Sequence, residues 1–276
     1  MLTVDPKIET TKTIHRYLLG AVAPRPIAFA STINENGDLN LSPFSFFNAF
    51  SANPPILIFS PARRVRDNTI KHTLENVLKN KEVVISIASA EMAQQVSLSS
   101  VDFEKGISEF SKAGFTPKKS TTIKPYCVEE SPVNFECKVN QVIELGTQGG
   151  SGNLVVCEIL KMHIKEEVLD EKKNIDPIKL NHLSRLGGNW YGKSTESSLF
   201  KIQKPIGKMA IGIDSLPEEI RLSTVLSGSD LAILASVEKI PEKQELTKSI
   251  STKEKHILAK NLLEEGDVLE AWKILL

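Results

Sequence analysis

Between Ile27 and Ile164 the chain runs in short apolar stretches closed by turn-forming residues, and this rhythm constrains the fold more than any other feature. Residues 27–33, 56–60 and 83–88 are brief and apolar, as buried strands are, while 133–145 and 154–164 are longer and roughly alternating. Residues 146–152 (GTQGGSG) separate the two long runs and predict a hairpin loop. Residues 34–38 (NENGD) predict another turn, because Asn and Gly tolerate positive φ. Residues 67–81 instead carry Ile70, Leu74, Val77 and Leu78 on one helical stripe. Many neighbouring strands with few helices imply a mainly β fold with α elements, a closed or half-closed barrel.

The last 70 residues or so have a different texture. Pro217-Glu-Glu-Ile-Arg221 starts a helix, since proline needs no N–H in a first turn. Gly228-Ser-Asp230 leads into the apolar run 231–237, and Ser251-Thr-Lys-Glu254 is a capping-box pattern ahead of Ile257, Leu258, Leu262 and Leu263. A further helical stretch follows Gly266. The expected division is therefore a barrel domain over 1–205 and an α-helical extension over 206–276. Lys-rich stretches such as 243–255 read as solvated surface.

With 34 Lys+Arg against 34 Asp+Glu in 276 residues, the chain lacks the basic footprint expected of a nucleic-acid or polybasic membrane binder. No apolar run approaches the ~20 residues of a membrane span. Asp5, Lys7, Glu9, Lys12 and Arg16 stand where a signal peptide would be apolar, so a cytoplasmic protein is expected. Cys127, Cys137 and Cys157 sit among apolar residues and read as reduced, packed thiols.

Phosphate-loop, dinucleotide-fold, serine-hydrolase-elbow and His-Glu-x-x-His patterns are absent. The five histidines are scattered without a recognisable ligand spacing, so no metal site is expected. Three segments carry more. Of the 34 basic residues seven are Arg, and Arg25, Arg63, Arg64, Arg66 and Arg185 account for five of them; arginine in place of lysine suits planar recognition of phosphate or carboxylate. Residues 60–69 (SPARRVRDNT) join a strand to a helix and either bind an anion or simply cap that helix through Asp67 or Asn68. Residues 40–51 crowd hydroxyls, amides and Phe44, Phe46, Phe47 and Phe50 together, either along the edge of a flat heteroaromatic ring or in the barrel core. Residues 183–192 join paired glycines to Arg185, Trp190 and Tyr191, as a lid over a ligand or as an interface turn.

Taken in order, Pro24-Arg-Pro-Ile-Ala-Phe-Ala-Ser-Thr32, the Asn-Gly turn, Asn40-Leu-Ser-Pro-Phe-Ser-Phe-Phe47 and Asn53-Pro-Pro-Ile-Leu-Ile-Phe-Ser60 closely resemble the flavin reductase-like, FMN-binding split-barrel family that includes flavoredoxin. Arg66-Asp-Asn-Thr69, Glu109-Phe, Gly114-Phe-Thr-Pro117, Glu130-Ser-Pro-Val133, Glu136-Cys and Gly152-Asn-Leu-Val-Val156 agree in the same order, so the resemblance covers about residues 10–200. It implies a Greek-key split barrel, usually a homodimer, with FMN held near the subunit interface. It also implies roles: Ser42, Ser45, Phe46 and Asn48 at the ring edge, Ser60, Arg64, Arg66, Asn68 and Thr69 at the phosphate, Arg25 reaching either, and Ser97, Ser99 and residues 185–191, Arg185 and Tyr191 among them, near the pocket. Many relatives have a shorter Lys-Asp-Thr in place of Arg-Asp-Asn-Thr, which leaves Asn68, Thr69 and Lys71 as alternatives for the phosphate contact. No catalytic acid or base is needed, because the flavin itself takes hydride from NADH or NADPH and passes electrons to another flavin or acceptor. An FMN electron carrier that does not oxidise nicotinamide is the rival reading, and a barrel without flavin, serving as a scaffold, the third.

Overall fold

The computed structural model describes residues 1–104, 106–202, 209–242 and 250–276. These group into two compact units, Met1–Phe200 and Lys201–Leu276. The boundary expected at 205/206 lies outside the described residues, as does most of the Lys-rich stretch after residue 242.

In chain order the first unit carries α1 (Thr11–Ala21), β1 (Arg25–Pro26), β2 (Ala28–Ile33), β3 (Leu39–Phe44), β4 (Phe47–Ala52), β5 (Pro55–Phe59), α2 (His72–Asn80), β6 (Glu82–Ile87), α3 (Ala93–Leu98) and α4 (Glu109–Ala113). It continues with β7 (Pro117–Lys118), β8 (Cys127–Val128), β9 (Val133–Glu144), β10 (Asn153–Ile164), α5 (Pro177–Leu180), β11 (Leu183–Gly187) and β12 (Trp190–Lys193). Seven strands form one antiparallel sheet in the order β3-β2-β6-β9-β10-β5-β4; β1-β11-β12 and β7-β8 are smaller sheets. The five apolar runs of the sequence are β2, β5, β6, β9 and β10, and the glycine-rich segment is the loop of the β9–β10 hairpin. Pro43 lies in β3, an edge strand, where a missing N–H costs least.

The large sheet curls on itself. Phe44 on β3 and Phe59 on β5 belong to strands five places apart, a separation of about 24 Å in a flat sheet. Their ring centroids are 5.3 Å apart. Alternation decides which residues line the barrel: Ala28 and Ala30 of β2 join Phe44, Leu57, Phe59, Val83 and Ile85 inside, with Phe47 packed against them. Ile27, Phe29 and Leu41 point the other way, onto Met92, Val96, Phe110 and Phe115. All three cysteines are buried and unpaired, and burial pushes their thiols up.

Helix α2 is shorter than the stripe predicts. Asn68 has φ of 58° and Lys71, in extended backbone, is the N-cap, so residues 67–71 lie outside the helix, just after a turn at 65–67. In the second unit, α6 (Glu218–Arg221), α7 (Gly228–Leu234), α8 (Thr252–Glu264) and α9 (Val268–Leu275) surround Trp272, which is fully buried and donates Nε1–H to Leu234 O at 3.1 Å. The capping box expected at Ser251 and Glu254 is present, and Ser227 with Asp230 forms another.

Candidate functional site

Residues 60–71 leave the end of β5 and lie against the glycine-rich hairpin. Arg63 N donates to Ser151 O (2.8 Å), Gly150 N to Arg63 O (2.9 Å), Asn153 N to Ser60 Oγ (3.1 Å) and Asn68 Nδ2 to Thr147 O (3.0 Å). A Cβ on Gly149 would stand 3.0 Å from both Arg64 O and Val65 Cα, and one on Gly152 only 2.6 Å from Ser60 Oγ. The hairpin is therefore a turn and also the wall that shapes the arginine loop.

On that loop three cations converge on one carboxylate. Arg64 meets Asp102 through Nη2 (2.9 Å) and Nε (3.2 Å), Arg66 Nη2 reaches it at 3.0 Å and Lys71 Nζ at 3.2 Å. The Arg64 hydrogen bond chiefly, opposed by burial and helped by Lys71, holds the Asp102 carboxyl well below the usual range. Arg64 Nη1 also donates to Thr69 Oγ1 (3.0 Å) and Ile70 O (2.7 Å). Asp67 receives the Thr69 N–H (3.0 Å) and hydroxyl (2.6 Å), which with Arg66 hold its carboxyl at about 2. Neither Asp67 nor Asn68 caps α2, because their side chains are spent on Thr69 and on the hairpin. Arg63 Nε is buried and has no partner among the described residues.

Ser42, Arg64, Lys71, His72, Asp102 and Glu109 border a small recess of about 20 Å³, room for about one water. Beneath it Asn40 Nδ2 donates to both Glu109 oxygens (3.0 and 3.1 Å), Leu41 N to Glu109 Oε2 (2.8 Å) and Thr73 Oγ1 to Asn40 Oδ1 (2.7 Å). This buried network ties β3 to α2 and α4. Burial pushes the Glu109 carboxyl above its ordinary range despite these donors.

The β3–β4 turn links the recess to a second group of arginines. Phe46 O accepts from Ser60 N (2.8 Å), and Ser45 Oγ from Arg25 Nε (3.3 Å). Arg25 is 5% exposed; its Nη1 donates to Leu19 O and Val22 O at 2.5 Å each, capping α1, while Nη2 is buried with no partner among the described residues. Burial first, then the Arg185 charge, push Arg25 below the usual value. Arg185 pairs in register with both Arg25 and Tyr191, and its guanidinium stands 4.3 Å from the Tyr191 ring centroid.

Phe46 is half-buried, edge-on to His15 with centroids 6.1 Å apart, whereas Asn48 and Phe50 on β4 are exposed. Ser99 donates its hydroxyl to Gln95 O (2.9 Å) inside the last turn of α3, not toward the recess. Residues 183–192 are the β11–β12 hairpin, with Gly187 at φ 97° and Gly188 at φ 51° at its turn. A Cβ on Gly187 would stand 3.0 Å from Leu19 O, so glycine lets α1 approach. Asp102 lacked any local signal, since its partners are remote in sequence, while Asn40 and Glu109 stood in motifs of the resemblance without a role that local sequence could define.

The chemistry of this arc fits an anion joined to an aromatic ring. Arg63, Arg64, Arg66 and Lys71 outnumber their two carboxylates, two guanidinium nitrogens are buried with hydrogens to spare, and aromatic Phe46 and Tyr191 lie alongside.

Comparison with known proteins points the same way. The family model described as "Flavin reductase like domain" matches residues 20–184. A protein of Aquifex aeolicus (strain VF5) is 36% identical over 190 residues, spanning 69% of this chain and 94% of its own. The crystal structure of nitrilotriacetate monooxygenase component B from Bacillus cereus is similar at 28% identity and a TM-score of 0.68, covering 73% of this chain and 98% of that one. The 2-nitrobenzoate 2-nitroreductase of Pseudomonas fluorescens is similar at 27% identity and a TM-score of 0.66, over 76% and 100% respectively.

Proposed function

This chain belongs to the flavin reductase-like domain family and has its split-barrel fold, and from that membership we propose that it is an FMN-dependent oxidoreductase that takes electrons from NADH or NADPH and delivers them to a further flavin or another acceptor. The observation that carries the reading is the convergence of Arg64, Arg66 and Lys71 on a single carboxylate, beside an arc that continues through Ser42 and Ser45 to Arg25. Arg64, Arg66 and Lys71, with Ser60, Asn68 and Thr69 on the same loop, would hold the phosphate. Ser42, Ser45, Phe46 and Asn48 would hold the ring edge, and Arg25, Arg185 and Tyr191 would flank it. FMN, when bound, would supply the redox chemistry of hydride and electron transfer. The residues of the chain bind, orient and exclude water, so no acid–base pair is assigned.

Two further features of the reading concern assembly and place. Phe50, 63% exposed, and Trp190, 77% exposed, are large apolar side chains that support burial against a second copy in a homodimer. Unpaired, buried cysteines support a reducing compartment such as the cytoplasm. Among the described residues no helix is long and apolar enough to cross a membrane.

The test is an absorption spectrum of the chain after incubation with FMN and removal of excess, followed by anaerobic titration with NADH and NADPH. Retained yellow colour that bleaches with either nucleotide is expected. A flavin that stays oxidised with both nucleotides but bleaches with a reduced protein donor would make the chain an electron carrier, the second reading that the flavoredoxin resemblance supports. A colourless chain that takes up no FMN would overturn both.

A further inference from the structure

Away from the arginine loop, β8, β9 and β10 bring together a thiol, a carboxylate and an imidazole. Glu136 on β9 is fully buried. It accepts the N–H groups of Thr121 and Thr122 (2.7 Å each), both threonine hydroxyls, and His163 Nε2 at 2.7 Å. Cys127 on β8 is 3% exposed and His163 on β10 is half-buried. One ligand atom from each of Cys127, Glu136 and His163 lies within 4.8 Å of the other two. A point no more than about 2.8 Å from all three therefore exists, against Zn–ligand bonds of roughly 2.0–2.3 Å, so shifts of under about one ångström make a coordination sphere, with His163 Nε2 and Glu136 Oε1 moving apart from 2.7 Å to admit the ion.

A cavity of about 240 Å³ opens beside these residues, lined in part by Cys127, His163, Thr121 and Asn134. It gives a three-ligand site an open fourth position for water or a small ligand. Lys118, Lys119, Lys165 and Glu129 also border the cavity; Lys118 is paired with Glu129 at 2.9 Å and Lys165 donates to Glu130 O at 3.3 Å. The thiolate, the Glu136 carboxylate and Glu129 together match the charge of those three lysines.

We propose that Cys127, Glu136 and His163 form a binding site for a divalent transition-metal ion of the zinc class, open to the adjoining cavity. The donor set selects the ion: thiolate and imidazole disfavour Mg²⁺ and Ca²⁺, and a carboxylate with only one thiolate disfavours Cu⁺. On binding, the Cys127 S–H proton leaves to solvent and sulfur bonds the metal. The Nε2 proton of a neutral His163 is replaced by the metal while Nδ1 takes a proton, so the net release is that of the thiol. Burial, which keeps the thiol protonated, is offset by the charge of the ion itself.

Co²⁺ titration of the full chain tests this, with Zn²⁺ as competitor. Saturable uptake of one ion per chain is expected, with a thiolate-to-cobalt charge-transfer band, strong tetrahedral visible absorption, and loss of both on adding Zn²⁺. Cys127→Ser must abolish the charge-transfer band. His163→Ala must weaken uptake by more than the roughly 10–100-fold that a lost outer-shell partner costs. Circular dichroism reports whether either variant still folds. X-ray absorption of the unaltered chain loaded with Zn²⁺ needs no variant, and a sulfur neighbour beside nitrogen and oxygen is expected. Absence of saturable uptake, a zinc shell without sulfur, or equal affinity in folded Cys127→Ser and His163→Ala would overturn the site and leave a hydrogen-bonded cluster only.

Discussion

Arg64 and Asp102, 38 residues apart, form a two-point ion pair, with Nη2 to Oδ1 at 2.9 Å and Nε to Oδ2 at 3.2 Å. Arg66 and Lys71 share the same carboxylate. In the proposed function, the cations expected to receive the FMN phosphate are thus already held by an anion of the chain, and phosphate must compete with Asp102.

Asp102→Asn removes that competitor. FMN affinity, measured by fluorescence quenching at low salt, is expected to rise about fivefold, the equivalent of about 1 kcal/mol for a partly exposed pair. Arg64→Ala should lower it roughly thirtyfold, about 2 kcal/mol for charged hydrogen bonds, and flatten its salt dependence. Weaker binding in Asp102→Asn would show that Asp102 positions the cations instead of competing with the phosphate.

Gly149→Ala forces a methyl against Arg64 O and Val65 Cα, each 3.0 Å from the built Cβ. Backbone cannot swing aside as a side-chain tip can, so the loop must shift. We expect a loss of about 1–3 kcal/mol in stability by urea denaturation, typical of overpacking, together with weaker FMN binding. Unchanged values for both would show that the loop is not braced by the hairpin.

Arg25→Ala should release α1. No residue of that helix is buried, so its attachment relies on Arg25 donating to Leu19 O and Val22 O, on contact with Gly187 and on the edge-on His15–Phe46 pair. Amide hydrogen exchange over residues 11–22 is expected to accelerate at least tenfold, since a hydrogen bond to a charged group contributes about 1.5–3 kcal/mol. Unaltered protection would mean that α1 is held by other contacts.

Glu109 gives a pH signature. Burial raises its folded-state pKa above the unfolded 4.5, so between those values the folded chain binds the extra proton. Its contribution therefore lowers stability as pH rises through that window, opposite to a paired surface carboxylate. Glu109→Gln should remove this component from a plot of the urea midpoint against pH. A plot unchanged by the substitution would count against the buried, raised carboxyl.

The sequence by itself determined the elements whose cause is local. Alternation and β-branching marked β2, β5, β6, β9 and β10, the glycine run marked the β9–β10 turn, and Ser251 with Glu254 marked the start of α8, because each pattern is complete within a few residues. Asp67 shows where local reading stops: its carboxylate serves the Thr69 turn, not the helix, and nothing in the dipeptide distinguishes the two. Trp190 and Tyr191 became strand residues only by pairing with Leu183–Gly187. Tertiary structure alone decided that Phe44 meets Phe59, that Asp102 faces Arg64, and that Cys127, Glu136 and His163 converge from three strands. Such meetings depend on sheet curvature and strand register, which place distant residues side by side without leaving any periodicity in the chain.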